Sequence, residues 1–128
     1  MAKIVIIDDN EIVRKLLGIM LRDHGHYVIE ADDGKEGLEA IQAVLPDVIV
    51  TDFYMPHMTG AEMIKNLRAL RTSVSDTPVI GLAGSVDAER QLAEAGVFCY
   101  LPKPLQEAQL TEAVTRALEA RKALFLAP

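Results

Sequence analysis

Tryptophan is absent from this 128-residue chain, and aromatic residues make up only 5% of it. Any core must therefore rest on aliphatic side chains. Cysteine is nearly absent too: Cys99 stands alone, which excludes an internal disulfide and a Cys-based zinc site. No apolar run approaches the ~20 residues that span a bilayer, so no membrane role is expected. Met1-Ala2-Lys3 leads straight into a short apolar run, so no signal peptide is expected and a cytoplasmic location is. No low-complexity segment, Gly/Ser linker or repeat divides the chain. Positive charge is in deficit, with 13 Lys+Arg against 19 Asp+Glu and a formal net charge of −6. Direct nucleic-acid binding, which needs a basic footprint to neutralise phosphates, is not expected.

What is present is half apolar and one quarter charged, the composition of a single soluble domain. Such a length buries roughly two-thirds of the unfolded surface. Short apolar runs recur: Ile4-Val5-Ile6-Ile7, Tyr27-Val28-Ile29, Val48-Ile49-Val50, Val79-Ile80-Gly81-Leu82 and Phe98-Cys99-Tyr100-Leu101. Continuous rather than alternating runs fit strands buried on both faces, as in a parallel sheet. Amphipathic helices are expected between them. The first spans 11–24, with Ile12, Val13, Leu16, Leu17, Met20 and Leu21 at helical spacing. The second spans 34–44 on Leu38 and Ile41, and the third 60–71 on Met63, Ile64, Leu67 and Leu70. The fourth, 86–95, is weaker, with Val86, Leu92 and Ala95 as core candidates. The fifth, 106–122, aligns Leu110, Ala113, Val114, Ala117 and Leu118. Gly25 and Gly96 follow helices, Asp33-Gly34 opens one, and Pro46 and Pro78 precede strands.

Five strands alternating with five helices predict an α/β doubly wound sheet. Its ligand crevice lies outside the carboxyl ends of the strands. The first strand ends in Asp8-Asp9, the third in Thr51-Asp52 and the fourth in Ala83-Gly84-Ser85, and the fifth is followed by Lys103-Pro104. Singly, each has an ordinary structural use; Asp9 or Asn10, for instance, is a candidate helix cap. Jointly, they bring three carboxylates and one ammonium to one rim. Three neighbouring carboxylates repel one another, and a hard divalent cation relieves this. Oxygen-only ligands suit Mg²⁺ rather than zinc. Lys103 adds a point charge suited to a phosphoryl group.

The segments IVIIDDN, DVIVTDFYMPHMTG, PVIGLAGS and YLPKP together resemble the receiver domain of two-component response regulators, over residues 3–122. The resemblance implies the flavodoxin-like strand order 2-1-3-4-5 and a receiver domain at 1–122, with 123–128 a tail or the start of a linker. It implies that Asp52 accepts a phosphoryl group from a phosphohistidine on a histidine kinase or histidine phosphotransfer protein. Asp8 and Asp9 match the acidic pair that positions Mg²⁺, Asp9 as the direct ligand. The backbone carbonyl of Tyr54 matches a further metal ligand. Lys103 matches the lysine that contacts the phosphoryl oxygens, and Pro104 a proline preceded by a cis peptide bond. Tyr100 matches the aromatic switch position. The resemblance also allows a phosphorylation-dependent homodimer through the face of the fourth helix, fifth strand and fifth helix.

One position departs from the family pattern. The Thr or Ser expected after the last Leu of the fourth strand is Ala83, which cannot donate a hydrogen bond to a phosphoryl oxygen. Gly84 keeps the room for that group. Ser85 carries a hydroxyl two residues on, and moving it into place would break the strand frame. Weaker or differently wired coupling to the output face is expected. Tyr54 is bulky enough to shield an acyl phosphate from water.

His24, His26 and His57 are expected at the surface, Cys99 as a buried small hydrophobe and Met63 in the core. Met58 with His57 is expected to face a partner helix. The apolar Leu124-Phe125-Leu126 segment has three readings: packing on a neighbour, a truncated linker, or a frayed end. Output through a downstream protein target or an output domain is expected. Two other functions compete with this one. An aspartyl-phosphate hydrolase of the haloacid dehalogenase type needs a second Asp where this chain has Tyr54. A pseudo-receiver, acting by protein contacts without phosphorylation, gains only from Ala83.

Overall fold

Ile4 and Ile6 point to one face of their strand and Val5 and Ile7 to the other, and all four are fully buried. Helices must therefore cover both sides of the sheet. The computed structural model describes residues 1–126, with side chains through Leu124. Strands and helices alternate as β1 (Lys3–Ile7), α1 (Glu11–Asp23), β2 (Tyr27–Ala31), α2 (Gly34–Val44) and β3 (Val48–Asp52), then α3 (Gly60–Ala69), β4 (Val79–Ala83), α4 (Val86–Ala95), β5 (Cys99–Pro102) and α5 (Glu107–Leu126). The strands form one parallel sheet in the order β2-β1-β3-β4-β5. This is the expected flavodoxin-like fold. None of the helices described is long and apolar enough to cross a membrane.

The two faces carry separate cores. Ile4, Ile6, Val48, Val50, Ile80 and Leu82 pack under α1 and α5, on Leu17, Leu21, Leu110 and Val114. Val5, Ile7, Ile49 and Val79 pack under α2, α3 and α4, on Ile41, Met63, Ile64, Leu67 and Leu92. Helix entries are set by side-chain caps. Asn10 accepts from Val13 N–H, Asp33 from Glu36 N–H, and Ser85 from Ala88 N–H. Thr59 and Glu62 form a reciprocal capping box at α3. Gly25 and Gly96 take positive φ where α1 and α4 end, a conformation that costs glycine little.

Several boundaries and burial expectations move. The second strand extends two residues further because Glu30, on a strand at the sheet edge, is matched by Arg14, Lys15 and Arg22 of α1. The third helix stops at Ala69, and Arg71 takes a left-handed φ of 55°. The fifth strand runs one residue later, from Cys99 through Pro102. The fifth helix continues to Leu126 rather than ending at 122; Leu124 lies on its exposed side, and Ala127 and Pro128 fall outside the described residues. Ile12 is 74% and Val86 81% exposed, and Leu16 is also exposed, so these three are not core. Val86 is the first residue of α4, before the helix turns its buried side, carried by Ala88 and Leu92, toward the sheet. Cys99 is only half-buried, because β5 is a sheet edge.

Candidate functional site

Parallel strands that start together also end together, so β1, β3 and β4 deliver Asp8, Asp52 and Ala83 to one rim. Ligand oxygens of Asp8, Asp9 and Asp52 all lie within 4.8 Å of one another. Lys103 reaches back across the rim, with Nζ 2.6 Å from Asp52 Oδ1. Its position is set by backbone: Lys103 N–H donates to Ala83 O at 2.9 Å, and the Lys103–Pro104 peptide bond is cis. The four charged residues of the acidic rim are thus brought together from the ends of three strands, β1, β3 and β5.

Asp8 is the most constrained of the carboxylates. It is 1% exposed. Its N–H donates to Ala31 O on β2 at 3.1 Å, and its Oδ1 accepts from Asn10 N–H at 2.9 Å. Oδ2 is buried without a hydrogen-bond partner. Burial pushes the Asp8 carboxyl above its ordinary pKa, the Asn10 N–H opposes this, and the Asp52 and Asp9 charges add to the rise while Lys103 offsets it. A buried anionic oxygen with no donor is unusual, and a cation is the partner that satisfies it. The oxygen-only donor set fits a hard divalent ion such as Mg²⁺.

The loop after Asp52 folds back tightly. Gly60 N–H donates to Phe53 O at 2.7 Å, and a Cβ at position 60 would run into the Asp52 carbonyl oxygen. Glycine is therefore required where α3 begins against the end of β3. Phe53 and Met55 are buried and anchor the loop. Tyr54 between them is 63% exposed and stands edge-on to Phe53, ring centres 4.7 Å apart at 86°. His57 adopts a left-handed φ of 68°. Met58 turns inward, opposite to expectation: it is half-buried against the core, its side chain fills the space above Gly34, and Asn66 donates to its sulfur. The empty Cα of Gly34 makes that seat. His24 is at the surface as expected, while His26 is partly buried and its Nδ1 accepts from Ala2 N–H at 3.3 Å.

Ala83 is buried, and Gly84 is open: a Cβ there would meet only Lys103 Cδ, at 3.8 Å. The Ser85 hydroxyl oxygen is engaged as the cap of α4 by Ala88 N–H at 3.1 Å. That bond uses the oxygen as acceptor and fixes Ser85 at the start of α4, two residues past position 83. Tyr100 is half-exposed on β5, beside Gly81 in register. Arg14, which no local sequence pattern singles out, touches the rim from behind, its Nη1 donating to Asp8 O at 2.8 Å. Its partners Glu30 and Asp32 lie 16 and 18 residues away, beyond any local pattern.

A five-stranded doubly wound domain with an acidic rim and an opposed lysine defines a class of small signalling domains. The chain belongs to the response regulator receiver domain family, whose model matches residues 4–115. It is 35% identical over 120 residues to chemotaxis protein CheY-3 of Vibrio cholerae, covering 91% of this chain and 92% of that one. It is 31% identical over 120 residues to transcriptional regulatory protein GlrR of Escherichia coli, covering 92% of this chain but 26% of that one. A receiver domain protein structure from Clostridium thermocellum superposes with a TM-score of 0.89 at 28% identity, covering 97% of this chain and 99% of that one. The chain thus spans nearly all of one relative and about a quarter of another.

Proposed function

We propose that this receiver domain is a phosphoaccepting switch in which Asp52 takes a phosphoryl group from a phosphohistidine of a histidine kinase or histidine phosphotransfer protein. The observation that carries this is the rim itself: three carboxylates within 4.8 Å, with Lys103 paired to the Asp52 oxygen. Asp52 attacks phosphorus, forming an O–P bond as the P–N bond to imidazole breaks, and the bonding electrons return to the ring nitrogen. Mg²⁺, held by Asp8, Asp9, Asp52 and the Tyr54 carbonyl, would supply charge neutralisation for the transferring group. Lys103 then exchanges its carboxylate partner for a phosphoryl oxygen, and the open space at Gly84 admits that group. No general acid or base is needed, because phosphohistidine is a reactive donor. The domain assists its own phosphorylation and dephosphorylation and is otherwise no enzyme.

Partner docking has a surface available beside the rim. Ile12, Leu16 and Ile19 form an exposed apolar stripe on α1. A groove of about 260 Å³ between α1 and the loop after β5, lined in part by Val13, Leu17, Met20 and Leu105, adjoins Lys103. Output runs through the α4–β5–α5 face to a downstream protein or output domain, in the cytoplasm, with a phosphorylation-dependent homodimer as one form. Coupling to that face lacks the hydroxyl at position 83. Against a binding-only module stands the joint presence of Asp8, Asp9, Asp52 and Lys103.

The test is incubation with acetyl phosphate and Mg²⁺, read by intact mass. The expected result is one acid-stable, base-labile phosphoryl group on the wild type and none on Asp52→Asn. Equal incorporation in both proteins, or none in the wild type, would refute the proposal.

A further inference from the structure

Arg14 lies outside the acidic rim, yet most of its side chain is buried and three of its contacts converge behind Asp8. Nη1 donates to Asp8 O at 2.8 Å and to Asp32 Oδ1 at 3.0 Å, and Nε donates to Glu30 Oε1 at 3.2 Å. We propose that Arg14 is a positioning residue for the cation site: its fork fixes the peptide plane between Asp8 and Asp9 and thereby aims both carboxylates. This rests on the Mg²⁺ reading above and deepens it.

Geometry carries the proposal. The Asp8 N–H is tied to Ala31 O and its Oδ1 to Asn10 N–H. Arg14 holds the remaining backbone group, the carbonyl. With these three fixed, the one free polar atom of Asp8 is Oδ2, the orphaned oxygen. The same carbonyl belongs to the peptide unit that leads into Asp9, so its orientation sets the direction in which Asp9 leaves the strand. Arg14 itself is anchored from the other side. Glu30 holds it while also accepting ion pairs from Lys15 at 3.1 Å and Arg22 at 3.3 Å, so the anchor survives loss of any one partner.

Charge alone does not explain the arrangement. The guanidinium is already neutralised by Glu30 and Asp32, which leaves little net field at the rim. Its use is the planar fork, which reaches the carbonyl and two carboxylates together; a lysine offers no such fixed geometry. Groups that orient ligands in this way are typically worth ~10–100-fold in metal affinity.

The experiment is Mg²⁺ titration by calorimetry on folded protein, well below its melting temperature, with Arg14→Met, Arg14→Lys and Glu30→Gln. Arg14→Met keeps the apolar stem and removes the fork. Its Mg²⁺ affinity is expected to fall ~10–100-fold, with a moved amide resonance for Asn10 in the metal-free protein. Arg14→Lys is expected to fall between, and it is the measuring variant if Arg14→Met does not fold. Glu30→Gln, which leaves the Arg14–Asp8 contact in place, is expected to bind nearly as the wild type. Wild-type affinity in both Arg14 variants would overturn the proposal while leaving the Mg²⁺ reading intact. An equal loss in Glu30→Gln would overturn it in favour of a general effect of the ion-pair cluster. A wild type that does not bind Mg²⁺ would overturn both.

Discussion

Replacing Asp8 with Asn should stabilise the metal-free protein. The side chain is buried, and Oδ1 keeps its acceptor role toward the Asn10 N–H in either form. What changes is Oδ2. In the wild type it is an anionic oxygen with no donor; in the variant an NH₂ occupies the place and can donate to a neighbouring carboxylate. Leaving a buried polar group unmatched costs about 1–3 kcal/mol, and more for a charge. Two like charges 4.8 Å apart repel by about 3.5 kcal/mol at an effective dielectric of about 20. Lys103 cancels much of the Asp52 contribution, and water screens the exposed Asp9. A net gain of about 2 kcal/mol is expected, or about 8 °C in melting temperature for a domain of this size.

The assay is thermal melting in chelator and in Mg²⁺, at several pH values. The folded-state pKa of Asp8 is raised, so the folded protein binds this proton more readily than the unfolded chain. The wild-type penalty is therefore absent below about pH 4 and develops as pH rises through the folded pKa. The advantage of Asp8→Asn should therefore grow with pH and vanish toward pH 4. In Mg²⁺ the order should close or reverse, because a ligand at 100 times its Kd stabilises the binding form by about 2.7 kcal/mol. A variant that melts no higher than the wild type in chelator at pH 7 would refute the reasoning. So would an equal Mg²⁺ shift in the two proteins.

Three further outcomes are expected. Tyr54→Ala should shorten the lifetime of the Asp52 acyl phosphate, since this bulky exposed residue follows the acceptor by two positions; phosphoryl loss followed by intact mass measures it. Ala83→Thr should enlarge the amide shift changes on α4, β5 and α5 caused by beryllofluoride, because it places a hydroxyl at the end of β4 where the wild type has a methyl group; no enlargement would count against this wiring. Arg68→Met should destabilise by about 2–4 kcal/mol in denaturant melts, because Arg68 donates to Ser75 O, Thr77 O and Gly96 O. It lies at the opposite end of the sheet, so its Mg²⁺ affinity should equal that of the wild type.

The fold was legible because each buried strand is a continuous aliphatic run and each helix has a period. The rim was legible because the carboxyl ends of parallel strands share one edge, so Asp8, Asp52 and Lys103 needed only their strand assignments. Errors fell where periodicity and burial separate. Ile12 and Leu16 keep helical spacing with Leu17 and Leu21, but lie on the side of α1 turned away from the sheet. Met58 sits in a loop, where no period applies; its inward turn depends on Gly34, a residue from another element. Ser85 caps α4, a use that shows only once the backbone of that helix is in place.

Arg14 belongs to this last kind. It occupies the first turns of a helix where an exposed basic residue is ordinary, and nothing local distinguishes it from Lys15. What distinguishes it is the carboxyl end of β2, which brings Glu30 and Asp32 beside α1 and leaves the fork one free direction, toward Asp8 O. The edge strand that helps cover the core thus also supplies the back wall of the rim. Residues that bear the chemistry are readable because strand ends converge; residues that aim them are not, because they are selected by the neighbouring strand. The longer β2 rests on the ion pairs of Glu30, whereas the aim of Asp8 rests on the Arg14 fork itself. Removing the fork should therefore disturb the rim before it disturbs the fold.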